Sequence, residues 1–155
     1  FLMKFISKSL DETRLIAESI AKFIDQNENF LVFYLSGNLG AGKTTLVREI
    51  LKELGWNSPV KSPTFSILEE YKIRDLEIYH ADLYRLTSLN DFEMLGLEPN
   101  FSQKGVLFIE WPEILKGFDN VVEIKISIQI DNKDRVIEFD CDNKDFLSSI
   151  TRINI

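Results

Sequence analysis

Apolar residues fall along this chain in three rhythms. Phe30 to Ser36 (FLVFYLS) and Gly105 to Trp111 (GVLFIEW) are nearly unbroken apolar runs, the pattern of strands buried on both faces of a parallel sheet. Phe65 to Ile73 and Leu76 to Tyr84 alternate apolar with polar positions around the polar pair Arg74 and Asp75, which predicts an antiparallel hairpin. Val121 to Ile130 and Arg135 to Asp140 predict a second hairpin turning at DNKD, and Lys4 to Ser7 a short edge strand. Helical spacing takes over elsewhere. Ile16, Ile20, Phe23 and Ile24 follow a capping box of Ser9 and Glu12, predicting a helix to about Asp25. Leu46, Val47, Ile50, Leu51 and Leu54 share one face of a helix that Gly55 closes. Ser88 with Asp91 caps a short helix stopped near Gly96, and a helical tail begins around Asp145. Trp56 to Ser62 reads as a loop, with Pro63 holding Ser62 extended.

These elements suit one α/β unit. A chain of 155 residues with 45% hydrophobic content fills one core and is short for two, so residues 1–155 are expected to form a single domain. No run reaches the ~20 apolar residues of a membrane helix, and FLMKFIS turns polar too soon for a signal peptide. The lone Cys141 has no disulfide partner and no companion for a metal cage; it is expected to be a small buried or half-buried side chain in a cytoplasmic protein. The net charge of −7 argues against an independent grip on a nucleic-acid backbone, because that affinity comes from Lys and Arg displacing counterions. Any nucleic acid is therefore expected to be held by a partner.

Between the first buried strand and the helix that follows lies GNLGAGKTT, Gly37 to Thr45, which satisfies G-x-x-x-x-G-K-[ST] in the strand–loop–helix context that motif requires. Its glycines let backbone N–H groups turn inward around phosphate oxygens, and the helix N-terminus adds positive potential. Gly37, Gly40, Ala41, Gly42, Lys43, Thr44 and Thr45 are thus the candidate ATP-binding residues, with Lys43 reaching the β- and γ-phosphates and Thr44 a ligand of Mg²⁺. The expected fold is a single P-loop NTPase-like domain, with a mixed, mainly parallel central sheet flanked by helices and carrying antiparallel hairpins. Such sites need an acidic residue at the tip of a neighbouring strand. VLFIE offers Glu110 and IYHAD offers Asp82; Glu110 fits a buried parallel strand better. Thr64, within KSPTF, lies where nucleotide switches place a Thr that touches Mg²⁺, although a Ser-Pro turn opening a strand accounts for it equally well. His80, the sole histidine, reads as packed or hydrogen-bonded, and Arg85 as half of a surface ion pair. The guanine-reading N-K-x-D pattern fails at Asn132 and at Asn143, which leaves ATP as the expected nucleotide.

In order and spacing, GNLGAGKTT, VKSPTF (from Val60), YHADLYRL (from Tyr79) and IEWPE (from Ile109) resemble the TsaE (YjeE) family of bacterial ATPases in tRNA threonylcarbamoyladenosine synthesis. The likeness covers roughly residues 30–115. Two positions depart from the family pattern: Asn38 stands where an Asp is usual, and Ala81 replaces an aromatic. The resemblance implies that Thr44 and Glu110 hold Mg²⁺, that Asp82 supports the metal or the attacking water, and that Thr64 is the switch residue, giving Lys43, Asp82, Glu110 and Thr64 as the catalytic set. It further implies an accessory role beside TsaD and TsaB, with tRNA reached through that complex and ATP hydrolysis resetting it. A P-loop small-molecule kinase and a binding module merely stapled by nucleotide are the alternatives; the absence of an Arg-rich segment after the P-loop helix weighs against the kinase. Leu10 to Thr13, with Lys133 and Arg135, are candidates for the neighbourhood of the base.

Overall fold

The computed structural model describes residues 1–155, apart from the side chains of Thr64 and Phe65. In chain order the elements are β1 (Leu2–Ser7), α1 (Leu10–Gln26), β2 (Phe30–Ser36), α2 (Lys43–Leu54), α3 (Pro63–Ser66), β3 (Leu68–Ile73), β4 (Leu76–Asp82), α4 (Leu89–Glu93), β5 (Gly105–Glu110), β6 (Val122–Asp131), β7 (Asp134–Asp140) and α5 (Lys144–Thr151). A 3₁₀ turn at Pro112–Ile114 follows β5.

The strands form one seven-stranded sheet in the order β1-β7-β6-β2-β5-β4-β3. Its centre, β6-β2-β5-β4, is parallel; β7 and β1 continue antiparallel on one side and β3 closes the other. The apolar run of β2 now has its explanation. Leu31, Phe33 and Leu35 enter a core shared with α1, α2 and α5, whereas Phe30, Val32 and Tyr34 enter a second core with Ala81, Leu107 and Ile109. A strand covered on both sides has no face on which a polar residue is cheap. The first core is sealed by helices, with Ile16, Ile20, Leu46 and Ile50 fully buried, each side chain worth ~1.5–3 kcal/mol of transfer free energy. The second is covered by α4 and the loops around it, where Phe92, Phe101 and Phe118 pack.

Both predicted hairpins form with two-residue turns, Ile73 pairing with Leu76 and Asp131 with Asp134. Arg74 (φ 54°) and Asn132 (φ 57°) take the left-handed conformation that such tight turns demand. Several boundaries differ from expectation: β1 starts at Leu2 and not at Lys4, and β4 stops at Asp82 and not at Tyr84. The segment predicted to begin a strand at Phe65 is a helical turn, α3, and β3 starts only at Leu68. Pro63 at the first position of that turn presets its φ and has no N–H to lose. Ile67, at φ 69°, then redirects the chain, its N–H bonded to Pro63 O at 2.7 Å and its carbonyl accepting from Asp82 N at 2.8 Å. At the end of β5, Trp111 leaves the strand in a left-handed conformation (φ 56°, ψ 62°).

Candidate phosphate-binding site

Each parallel strand of the centre ends at the same edge of the sheet, and the chemistry-bearing residues collect there. Gly37 to Gly42 bridge β2 and α2. A Cβ on Gly37 would lie 2.4 Å from the backbone oxygen of Ile128 in β6, so only glycine lets the loop approach that strand. Gly42, at φ 115°, caps α2 without any side-chain bond, leaving the first N–H groups of the helix directed out of its end. Within the loop, Asn38 O accepts from Ala41 N at 3.0 Å and from Lys43 Nζ at 3.2 Å, and Lys43 Nζ also donates to Gly37 O. Asn38 thus contributes its carbonyl to these bonds, whichever side chain it carries.

Lys43 is nearly buried, and its ammonium lies 4.4 Å from the centre of the Trp111 ring. Burial pulls the Lys43 pKa below its ordinary value, and the facing carboxylates of Glu110, Asp82 and Glu113 oppose that pull. Trp111 belongs to the site although sequence reasoning assigned it no role. The available signal was its place between Glu110 and Pro112; its left-handed turn and its contact with Tyr84 (ring centres 4.8 Å apart) hold it over the ammonium.

Glu110 and Asp82 are direct neighbours, paired in register at the tips of β5 and β4. Only 3% of Glu110 is exposed, and both its oxygens accept from Thr44 Oγ1, at 3.0 and 2.9 Å. Its Oε2 also lies 2.6 Å from His80 Nε2. Asp82 is half-buried, with Oδ1 accepting from Tyr84 N at 3.0 Å; desolvation raises its pKa above the ordinary carboxylate value, reinforced by the neighbouring Glu110 charge. A hydroxyl and two carboxylates are hard oxygen donors suited to Mg²⁺, which takes few protein ligands and completes its shell with water and phosphate oxygens. Among the described residues no set of three or more His, Cys, Asp or Glu is placed to hold an ion by itself, so such a cation would be shared with a phosphate-bearing ligand.

Two cavities meet at the loop. One, of about 220 Å³, is lined by Leu39, Gly40, Gly42 to Thr45, Asp82, Glu110 and Trp111. The other, of about 240 Å³, lies across Gly40, Ala41, Gly42 and Thr45 and is walled by Ser7, Ser9, Leu10, Thr13, Lys133 and Arg135. The two remote segments named for the base therefore do converge, because β6 and β7 carry their turn back to the start of α1. The side chain of Thr64 lies outside the described residues; the backbone of its turn is tied to Asp82 N through Ile67.

The sequence model of the family described as "Threonylcarbamoyl adenosine biosynthesis protein TsaE" matches residues 7–137. The tRNA threonylcarbamoyladenosine biosynthesis protein TsaE of Haemophilus influenzae is 43% identical over 107 residues, covering 69% of this chain and 66% of that protein. The protein of the same name from Aquifex aeolicus is 36% identical over 137 residues, 87% of this chain and 96% of its own. The crystal structure of Bacillus subtilis YdiB superposes with a TM-score of 0.68 at 24% identity, over 99% of this chain and 94% of that one, and shows the same fold. With a family match running from β1 into β7 and relatives this similar over most of their length, the chain belongs to the TsaE family of threonylcarbamoyladenosine biosynthesis proteins.

Proposed function

We propose that this chain is a Mg-ATP-binding and ATP-hydrolysing accessory protein of tRNA threonylcarbamoyladenosine modification, acting in the cytoplasm with TsaD and TsaB. The observation that carries the nucleotide reading is the Thr44 hydroxyl shared by both oxygens of Glu110 at the open end of α2, with Asp82 beside it. The backbone N–H groups of Gly40 to Thr45 bind the phosphates, and Lys43 turns its ammonium from the loop carbonyls toward the terminal ones. Thr44 and Glu110 would hold the cation, which would supply positive charge beside the phosphates. Asp82, at the next strand tip, orients water by accepting a hydrogen bond. Phosphoryl transfer asks the protein for positioning and electrostatics and for little covalent work. The adjoining cavity between Leu10, Thr13, Lys133 and Arg135 takes the base.

Glu110→Ala and Asp82→Ala test this reading, since both leave the phosphate loop intact. Each variant is expected to bind ATP while hydrolysing it ~10²-fold more slowly, the usual loss for a positioned polar group. Phosphate release at the wild-type rate in both would remove the two carboxylates from the mechanism.

A further inference from the structure

His80 is fully buried on β4, yet it does not behave as an ordinary core residue. It follows Leu76 and Ile78 on the strand face covered by α2, and its ring stands edge-on to Phe108, with centres 6.5 Å apart at 80°. Nε2 lies 2.6 Å from Glu110 Oε2, whereas Nδ1 is buried with no hydrogen-bond partner among the described residues. A buried nitrogen left unmatched costs stability, and an apolar side chain would pack against Phe108 without that cost. What sets this ring apart from an apolar side chain at the same place is its single polar contact, from Nε2 to Glu110.

That bond ends on the carboxylate oxygen that also accepts from Thr44 Oγ1 at 2.9 Å. A carboxylate bonded only to a rotatable hydroxyl is free to turn about its last torsion. One anchored by a ring N–H on a rigid inner strand is not. We propose that His80 is a positioning residue for Glu110, donating from Nε2 to Oε2 so that the carboxylate and the Thr44 hydroxyl present a prearranged pair to a divalent cation. This rests on the Mg-ATP reading above and adds to it a buried residue that never touches the nucleotide. Anchors of this kind, standing behind a ligand, are typically worth ~10–100-fold in metal affinity or activity.

The test compares wild type with His80→Phe, His80→Gln and His80→Asn. Binding of a non-hydrolysable ATP analogue is measured calorimetrically in EDTA and in Mg²⁺, alongside kcat, KM and the thermal midpoint. In EDTA all four proteins should bind alike. Mg²⁺ should tighten binding by wild type, and His80→Phe should lose most of that gain, with KM rising by the affinity lost and kcat falling ~10-fold or more. His80→Gln, whose amide reaches the region of Nε2, should regain much of the Mg²⁺ response; the shorter His80→Asn should not. A full Mg²⁺ response in His80→Phe overturns the assignment, as does an equal loss in Gln and Asn. If His80→Phe fails to fold, the contrast between Gln and Asn decides the matter by itself. Absence of any Mg²⁺ response in wild type would instead overturn the Mg-ATP reading, and the role of His80 with it.

Discussion

Asp82 shows how a site residue trades stability for chemistry. Its pKa is raised first by desolvation and further by Glu110, so the folded state binds the Asp82 proton more tightly than the unfolded chain does. The stability this contributes is complete below the unfolded carboxylate pKa and is lost as pH rises through the folded one. At neutral pH the ionised side chain is consequently a burden on the fold. Asp82→Asn should therefore unfold at a higher temperature than wild type at pH 7, with the gap narrowing as the solution is acidified through the carboxylate range. Its ATP turnover should fall steeply. A thermal midpoint lowered at pH 7, or a gap that widens in acid, would refute the desolvation account. Trp111 fits the same logic, since a bulky residue in the left-handed region is costly and at this position lies over the Lys43 ammonium.

Among the elements, α1 has the more conventional start and α2 the more revealing one. Ser9 Oγ accepts from Glu12 N at 3.2 Å, while Glu12 Oε1 reaches back to Lys8 N at 2.8 Å, one residue earlier than in the usual capping box. Ser9→Ala should cost about 1 kcal/mol in denaturant unfolding, the typical loss of such a cap. An unchanged midpoint and slope would show that α1 is held by its buried face alone. In contrast, α2 begins at Gly42 with no side-chain cap, so its first N–H groups remain for a ligand. The difference is legible in the sequence, because Ser-x-x-Glu precedes one helix and a glycine loop the other. The turn at Pro63–Ser66 is not: alternation beyond it suggests a strand from Phe65, and the hydrogen bonds that stop the strand at Leu68 come from Pro63 and Asp82.

At the scale of the whole molecule, the net charge of −7 and the proposed reliance on partners lead to one expectation. ATP turnover by the isolated chain should be slow and should rise clearly when TsaB and TsaD are added, with Thr64→Ala keeping ATP binding but losing most of that rise. Positioning of the attacking water alone can supply several kcal/mol of barrier, enough to account for a large stimulation. Phosphate release measured with and without the pair decides it, and equal rates would sink the reset role. What the sequence determined by itself were the features set by neighbours along the chain: the β2–loop–α2 unit, both hairpins, the capped start of α1, and the candidacy of Lys43, Thr44, Asp82 and Glu110. Each depends on spacing within about a dozen residues, where periodicity and turn chemistry act directly. Only the tertiary structure decided that β6 lies parallel beside β2, bringing Lys133 and Arg135 to the start of α1. It alone also set Asp82 in register with Glu110, tied Glu110 to both Thr44 and His80, and placed Trp111 over Lys43. Those pairings join segments far apart in the chain, and they are chosen by which buried faces and unpaired strand edges satisfy one another, a choice that no local pattern encodes.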